Sequence, residues 1–324
     1  MIKIDIKDKK LLYELDLNSR LSIPQLSKKV GLHKNVVRYR IRRLEKLGVI
    51  KNYYTVIDSY KLGFKCLKLL ATYQNATSSI KKEIIDHFTS SKMTWVVLSI
   101  EGEFDLDVIF WIKDMNQFYS FWAKTLSMYG QYLKDQILFY QIQATSYRPS
   151  YLLFREKRPV NEKYEVTGQA SNLQIDDLDY CLLQLIASNA RIPIVTLAQH
   201  LNVTSNIVRY RLRKLLKSDI IQGFRTDIDF SKIGFLSTKV DLFLNKYGER
   251  AKVIQYLKDN PFVVCIMISV GYSHIELELN VESMTQHYRI MEDLIDKYSG
   301  IINNYKFFSV LENFKLCWMP EKQY

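Results

Sequence analysis

Two short cationic stretches hold the residues of this chain whose types and spacing could do chemistry. Val-Arg-Tyr-Arg occurs at residues 37–40 and again at residues 208–211, and further arginines and lysines follow each copy. Arginine can bind a guanine edge through two hydrogen bonds, asparagine can bind adenine in a similar way, and lysine neutralises phosphates. These residue types therefore predict contact with double-stranded DNA, a binding chemistry in which no covalent bond changes.

The rest of the sequence offers no pattern typical of catalysis or metal binding. It contains no glycine-rich phosphate loop and no Ser-His-Asp order. Its five histidines do not combine with cysteines or carboxylates at the spacing of metal ligands. The four cysteines lie far apart without a Cys-x-x-Cys pair, at Cys66, Cys181, Cys265 and Cys317. We therefore predict reduced cysteines, no metal, no cofactor and no catalytic residue, so that the chain is not an enzyme.

Three helices must position the first cationic stretch. Hydrophobic periodicity predicts them over residues 5–18, 23–30 and 34–47. Ser22 is the predicted N-cap of the second helix, and Gly31 supplies any positive φ that the following turn requires. Two short helices joined by a tight turn, after a stabilising first helix, are typical of a helix-turn-helix.

The third helix has two different faces. At 100° per residue, Val37, Ile41 and Leu44 point to the core, as do their second-copy counterparts. A basic helix face is more often merely solvated, but this face recurs in two diverged copies and is almost free of acidic residues. The predicted DNA-binding residues are those of the outer face and its edge: Lys34, Asn35, Arg38, Tyr39, Arg40, Arg42, Arg43 and Lys46, then Ser205, Asn206, Arg209, Tyr210, Arg211, Arg213, Lys214 and Lys217.

The helical pattern is one part of a longer duplication. Residues 4–64 align without a gap with residues 175–235, and 24 of the 61 aligned positions are identical. Besides the Val-Arg-Tyr-Arg runs, the identities include Asp5/Asp176, Asp8/Asp179 and Arg20/Arg191. Chance does not produce this similarity, so the chain is a tandem repeat.

Each helical copy continues into alternating strand and helix patterns. In the first half a strand, a helix (residues 78–90), two strands around Gly102, a helix (residues 115–129) and a last strand follow in order. This βαββαβ order is typical of a ferredoxin-like unit. The predicted fold class is therefore α+β, a tandem duplication of a winged or helix-turn-helix DNA-binding domain plus a ferredoxin-like domain.

Domain boundaries follow from these patterns. The predicted domains are an N-terminal helix-turn-helix domain at 1–64, a ferredoxin-like regulatory and dimerisation domain at 65–147, a polar linker at 148–174, a second helix-turn-helix domain at 175–235 and a second ferredoxin-like domain at 236–324.

Positive charge is concentrated near the N-terminus. The chain has a net charge of +12, and residues 1–64 carry 15 basic against 6 acidic side chains. A local excess of this kind favours a polyanionic partner. There is no secretory signal and no apolar stretch near the ~20 residues of a membrane span. We expect a soluble, cytoplasmic protein without a membrane partner, and the abundance of Tyr, Ile and Lys is typical of a prokaryotic host.

The residues quoted above resemble the Lrp/AsnC family, also called feast/famine regulators. The family pattern is matched by Ile4-Asp5, Leu11-Leu12, Asn18-Ser19-Arg20, Val30-Gly31-Leu32, Val37 with Arg40-Ile41 and Leu44, and Gly48-Val49-Ile50. His33 departs from it, because the family usually has Ser at this N-cap. The resemblance implies a DNA-binding transcriptional regulator. Since family members normally carry one copy and dimerise, it also implies an intramolecular pseudo-dimer, with a further homodimer or higher oligomer left open.

The resemblance further implies a small effector, such as an amino acid, near a Gly-x-x-Asp turn. Carried over, the candidate effector-binding residues are Gly102 and Asp105 in the first copy and Gly271 and His274 in the second. Because His cannot replace an ammonium-binding Asp without changing the ligand chemistry, we predict lost or altered binding in the second copy. The alternative is that these are hairpin glycines with an incidental neighbour.

Two other functions remain as alternatives. Siroheme decarboxylase resembles the same architecture, but that enzyme family is expected to carry an Arg pair and a His just after the helical domain, and residues 51–58 and 222–229 contain neither. A non-enzymatic interaction protein or an architectural chromatin protein is the second alternative.

Because the two outer helix faces differ, we predict an asymmetric DNA site bound more strongly by the N-terminal copy.

Overall fold

The computed structural model, which describes residues 2–153, 157–168 and 173–320, gives the chain one run of elements twice. Residues 154–156 and 169–172 of the predicted linker, residue 1 and residues 321–324 lie outside the described residues. The first half contains α1 (Ile6–Leu17), α2 (Ile23–Val30), α3 (Lys34–Lys46), β1 (Ile50–Ile57), β2 (Lys65–Tyr73), α4 (Ser78–Ser90), β3 (Thr94–Glu101), β4 (Leu106–Ile112), α5 (Met115–Tyr129) and β5 (Leu133–Ser146).

The second half follows a short strand, β6 (Glu165–Thr167). It contains α6 (Asp177–Ala187), α7 (Ile194–His200), α8 (Ser205–Lys217), β7 (Ile221–Ile228), β8 (Leu236–Leu244), α9 (Arg250–Asp259), β9 (Val263–Val270), β10 (Ile275–Val281), α10 (Met284–Tyr298) and β11 (Ile302–Leu316). The repeated order confirms the predicted α+β tandem duplication.

Local capping fixes the helices of each helix-turn-helix. The Asp5 carboxylate accepts a hydrogen bond from the Asp8 N–H at 2.7 Å, and the Asp8 carboxylate accepts one from the Asp5 N–H, which forms a capping box. Gly31 ends α2 with a φ of +69°. The equivalent Asn202 has a φ of +51°, because Asn tolerates the left-handed conformation better than most residues.

Each ferredoxin-like unit forms an antiparallel sheet with two helices on one face. The strand orders are β5-β2-β4-β3 in the first half and β11-β8-β10-β9 in the second. In the first half, alternate residues such as Leu69 and Phe110 pack against Phe88 of α4 and Phe118 of α5. The second half packs α9 and α10 on its sheet in the same way.

The two sheets join edge to edge into a closed barrel. β3 pairs with β11 and β9 pairs with β5, so eight of the described strands form an unbroken ring. Because side chains alternate across a strand, the face away from the helices points into this barrel. Closure within one chain is the intramolecular pseudo-dimer expected from the duplication.

The interior of the barrel holds a buried charge cluster. Lys239 Nζ donates to Asp107 Oδ2 at 2.6 Å, and Lys68 pairs with Glu276 in the symmetry-related position. Both pairs join the first half to the second. Asp241, which has Leu at the equivalent position of the first copy, adds a third carboxylate and accepts a hydrogen bond from Ser273 Oγ at 3.2 Å. The cluster therefore breaks the symmetry of the two copies.

The strand after each helix-turn-helix does not pair within its own copy. β1 and β7 pair with each other and form a two-stranded antiparallel ribbon, which we call the ribbon. Each helical unit also contacts the ribbon strand of the other copy: the Ser19 N–H donates to the Phe224 carbonyl at 2.9 Å, and the Ala190 N–H donates to the Tyr53 carbonyl at 2.7 Å. The ribbon thus connects both helical units to the barrel.

The segment predicted as a polar linker packs into the protein where it is described. β6 extends the sheet beyond β5. Tyr151 and Leu152 are buried in the core of the first helix-turn-helix. Arg148 is fully buried and pairs with Glu165. The segment therefore joins the helical unit to the barrel as well as connecting the two copies.

Candidate nucleic-acid interface

The two recognition helices, α3 and α8, are anchored by three buried side chains each. Val37, Ile41 and Leu44 of α3 are buried, and so are the equivalent Val208, Leu212 and Leu215 of α8. These are the inward residues that the 100° rotation predicted. The opposite face of each helix is therefore open to solvent.

The start of each recognition helix is capped by a different residue. His33 Nδ1 accepts a hydrogen bond from the Asn35 N–H at 3.3 Å, so His33 caps α3 in place of the usual Ser. Thr204 Oγ1 accepts one from the Ile207 N–H at 3.4 Å. Both caps satisfy a backbone donor that the helix leaves unpaired.

Most of the predicted DNA-binding residues are exposed on the outer faces. Tyr39 and Tyr210 have 67% and 66% of their surface accessible. Asn35 accepts a hydrogen bond from Arg38 at 3.4 Å, and Asn206 accepts one from Arg209 at 2.9 Å, which orients each arginine along its helix. The other exposed residues of the prediction are Lys34, Arg42 and Lys46 on α3 and Arg213, Lys214 and Lys217 on α8, while Ser205 is half-buried.

Arg40 does not extend outward as predicted. Its Nη1 donates to Asp5 Oδ2 at 2.7 Å and to Asp8 Oδ1 at 2.8 Å, and only 21% of its side chain is exposed. Arg43 pairs with Asp8 as well. Asp5 and Asp8 lie at the N-terminus of α1, so these arginines hold the recognition helix against the first helix of its own unit.

The second copy has the same ion pairs between its recognition helix and its first helix. Arg211 pairs with Asp176 and with Asp179, and Lys214 Nζ donates to Asp179 Oδ2 at 3.2 Å. The hydrogen bond from Arg211 lowers the pKa of the Asp176 carboxyl. The identity of Asp5/Asp176 and Asp8/Asp179 in the sequence was the available signal for these pairs, and sequence reasoning did not use it.

A further pair of repeated arginines holds the helical units to the ribbon. The Arg20 guanidinium lies 5.2 Å from the ring centroid of Phe224, and the Arg191 guanidinium lies 4.9 Å from that of Tyr53. Arg20 also donates to the Ala190 carbonyl at 2.7 Å. These contacts join the two copies, and the sequence showed only that the arginines recur.

The candidate effector residues lie at the hairpins of the two sheets. Asp105 accepts a hydrogen bond from the Tyr73 N–H at 2.7 Å, and His274 Nδ1 accepts one from the Leu244 N–H at 2.8 Å. Tyr73 and Leu244 are equivalent positions, so Asp and His satisfy the same backbone donor in the two copies. No pattern in the sequence indicated this role.

The hairpin glycines lie at the seams between the two sheets. Gly102 has a φ of +154°, and a Cβ there would lie 2.8 Å from the Phe307 carbonyl oxygen. Gly271 has a φ of +107°, and its Cβ would lie 3.4 Å from Phe139 Cβ. Phe307 and Phe139 belong to the last strand of the opposite copy, so each glycine permits close approach between the copies.

None of the described helices is long and apolar enough to cross a membrane. Within the part of the chain that the structure describes, no three His, Cys, Asp or Glu side chains come together where they could hold a metal ion.

Comparison with family models agrees with the two helical units. A model for winged helix-turn-helix DNA-binding domains matches residues 4–51, and a model for the AsnC-type helix-turn-helix domain matches residues 175–216. These ranges cover α1–α3 and α6–α8. Both copies are therefore similar to known DNA-binding domains.

Relatives extend the similarity beyond the helical units. An uncharacterized HTH-type transcriptional regulator of Pyrococcus furiosus is 33% identical over 135 residues, which are 38% of this chain and 81% of that protein. A second uncharacterized HTH-type transcriptional regulator, from Pyrococcus abyssi, is 48% identical over 63 residues, 19% of this chain and 41% of that protein.

A solved structure matches nearly the whole chain. A siroheme decarboxylase superposes with a TM-score of 0.64 over 97% of this chain and 94% of its own chain, at 9% sequence identity. At this identity the likeness concerns the fold, and it covers both copies at once.

Proposed function

The chain belongs to the Lrp/AsnC family of transcriptional regulators, and on that premise we propose that α3 and α8 contact two half-sites of one DNA duplex. Its two helix-turn-helix units make it a DNA-binding transcriptional regulator. The pairing of the two copies through the ribbon and the barrel lets a single chain take the place of a dimer, whose recognition helices enter successive major grooves.

One observation carries this proposal. Each recognition helix presents an exposed Arg that its neighbouring Asn orients, Arg38 with Asn35 and Arg209 with Asn206. Arg and Asn are the side chains best suited to read guanine and adenine edges. We assign base contact to these residues together with Arg42 and Arg213, and we assign phosphate contact to Lys34, Lys46 and Lys217.

The site is expected to be asymmetric. Lys34 of α3 corresponds to Ser205 of α8, so the two faces differ in charge at the first turn of the helix. The first helical unit also carries most of the net positive charge of the chain, 15 basic against 6 acidic side chains. Phosphate contacts dominate affinity, so the N-terminal unit should bind more strongly. Each copy reads its own half-site, and the two half-sites need not be equal.

A selection from random duplex DNA tests the proposal directly. The affinity of the recovered site is then measured against scrambled DNA over a series of salt concentrations. We expect a preference of about 10³-fold or more and a steep salt dependence. Salt-dependent binding without sequence preference would instead support the architectural alternative.

Paired substitutions test the roles of the two helices. Arg38→Ala with Arg42→Ala should weaken binding to the selected site by roughly 10- to 100-fold, and more than Arg209→Ala with Arg213→Ala. The matched control is Lys82→Ala with Lys124→Ala, which removes two exposed cations of α4 and α5 and should change affinity little. Equal losses from the two helices would contradict the predicted asymmetry.

A small effector of the amino-acid class remains part of the proposal. The Tyr73 N–H occupies one oxygen of the half-buried Asp105 carboxylate, and a ligand ammonium would have to bind beside it. Calorimetric titration of the whole protein with the standard amino acids tests this. Heat of binding that Asp105→Asn abolishes would support the first copy as the site.

We propose that regulation proceeds without a catalytic step. The siroheme decarboxylase fold is shared, but β1 and β7 carry neither the His nor the Arg pair expected in that enzyme family. Incubation of the protein with siroheme under anaerobic conditions should release no carbon dioxide. Measurable release of carbon dioxide would show instead that the protein is an enzyme of the siroheme decarboxylase type.

A further inference from the structure

One mouth of the barrel contains a cavity roofed by the ribbon. It encloses about 400 Å³, in the range of small-molecule sites. Tyr54 of β1 and Thr226 of β7 form part of the roof, and Trp95 of β3 and Met267 of β9 form part of the barrel wall. We call this space the ribbon cavity. It requires both copies, because its roof and its wall each take strands from both halves.

Aromatic rings are concentrated at the ribbon cavity. Three of the four tryptophans of the chain line it, namely Trp95, Trp111 and Trp318. Together with Tyr54 they form two stacked pairs: Trp95 with Trp111 at a centroid distance of 4.4 Å, and Tyr54 with Trp318 at 3.5 Å. Planar aromatic walls favour a planar aromatic guest, since offset stacking adds to the hydrophobic gain.

The Trp95 Nε1 donor at the wall has no partner among the described residues. A buried polar group without a partner costs stability, so it is usually satisfied by a ligand or an ordered molecule. A guest with a hydrogen-bond acceptor in its ring system would satisfy this donor.

The charges around the cavity disfavour an anionic guest. Arg225 donates to the Asp16 carboxylate at 2.6 Å, and Lys239 is paired with Asp107 and lies 3.6 Å from Glu278. Both cations of the lining are therefore compensated. Asp227 adds a further carboxyl to the lining, and its burial raises its pKa. A neutral or cationic guest meets no uncompensated positive charge there.

We propose that the ribbon cavity binds a small planar aromatic molecule, neutral or cationic, with a hydrogen-bond acceptor on a two-ring framework. The site is separate from the hairpin residues proposed for an amino-acid effector. Trp95 and Gly102 are seven residues apart near opposite ends of β3, a separation of roughly 20 Å along a strand. The proposal does not rest on DNA binding, and it can be tested without DNA.

Calorimetric titration of the full chain with three probes tests the chemistry of the guest. The probes are quinoline, which is neutral with a ring acceptor, N-methylquinoxalinium, which is cationic and keeps one ring nitrogen as an acceptor, and quinoline-4-carboxylate, which is anionic. We expect saturable binding of quinoline or N-methylquinoxalinium, and at least about tenfold weaker binding of the carboxylate. Absence of binding by the first two, or equal binding of the carboxylate, would overturn the proposal.

Substitutions locate the binding. Trp95→Phe removes the indole N–H and one ring from the cavity wall, so it should weaken quinoline binding by about tenfold. Ala144→Phe, which fills the cavity from β5, should abolish binding. Trp122→Phe is the matched control, because Trp122 packs against Phe118 outside the cavity. Unchanged affinity in Trp95→Phe would place the guest elsewhere, even if Ala144→Phe failed to fold.

Discussion

Arg40 and Arg42 lie two positions apart on α3 but face different surroundings. Arg42 is exposed on the outer face, whereas Arg40 is bound by Asp5 and Asp8. The Asp8 side chain is almost fully buried, so removing a cation from it leaves a carboxylate less well compensated. Residues of one type on one helix thus serve stability at Arg40 and, in the proposed function, recognition at Arg42.

Single substitutions at these two residues should separate the roles. Arg40→Ala is expected to lower the free energy of unfolding by about 1–2 kcal/mol, because Arg43 still pairs with Asp8. Arg42→Ala should leave stability within about 0.5 kcal/mol and weaken DNA binding. Urea unfolding and DNA titration of both variants check this. A loss of affinity without a loss of stability in Arg40→Ala would contradict it.

The charge cluster in the barrel predicts a pH dependence of stability. Burial, and then the neighbouring Glu276, raise the pKa of Asp241 to about 7. The folded protein therefore holds this proton more tightly than the unfolded chain, and the associated stability is lost as pH rises from about 4 through about 7. Asp241→Asn should be more stable than the natural protein at pH 8, by several degrees in Tm, and the difference should vanish near pH 4.

Asp107→Asn is a control for which we expect the opposite dependence of stability on pH. Burial opposes ionisation of Asp107, but Lys239 and Lys68 outweigh it and lower the pKa of this carboxyl. Stability from Asp107 is therefore present above its unfolded pKa and lost as pH falls. Asp107→Asn should destabilise the protein at pH 8 and do so less at pH 3. Parallel pH profiles for the two variants would show that the cluster does not distinguish the two carboxylates.

At the scale of elements, features fixed by local chemistry were predicted, whereas the contacts between the copies were predicted only as a pseudo-dimer without its strand pairs. The helices at residues 78–90 and 115–129 were predicted with their observed bounds, since Thr77 and Asp114 cap them locally. The pairing of β1 with β7 was not predicted. It joins strands far apart in the sequence, and a pattern of alternation does not name the partner of a strand.

The recognition helices show the same division. Their buried faces were predicted from rotation along the helix, which is a local property. The ion pair between Arg40 and Asp5 was not predicted, because it depends on the angle at which α3 crosses the start of α1. The role of the segment from 148 to 174 was missed for a similar reason: its polar composition conceals the buried pair of Arg148 and Glu165.

The seam between β3 and β11 gives a prediction for an element. Gly102→Ala should lower the free energy of unfolding by roughly 2–3 kcal/mol, because the new methyl group meets the Phe307 carbonyl oxygen in a backbone conformation that favours glycine. Gly248→Ala is the control, since a Cβ there has nothing within 4 Å. Urea unfolding measures both. Equal effects on the two variants would mean that β3 and β11 can move apart near Gly102 without a loss of stability.

At the scale of the whole molecule, one polypeptide carries two helix-turn-helix units. Both helical units are tied to one barrel through the ribbon, so one chain should occupy one pair of half-sites. Stoichiometric titration of the selected DNA, followed by anisotropy at concentrations well above Kd, should break at one chain per duplex. A break at two chains would show that each chain uses only one recognition helix or that chains pair on DNA.

The closure of the barrel within one polypeptide has a consequence for abundance. A regulator built from separate subunits loses its binding form on dilution, because subunit association is second order in concentration. Here the two halves are covalently joined and meet at a fixed effective concentration, whatever the number of molecules in the cell. Occupancy of the DNA should therefore follow protein level linearly at low expression, and the first half need not exchange partners with related single-copy chains.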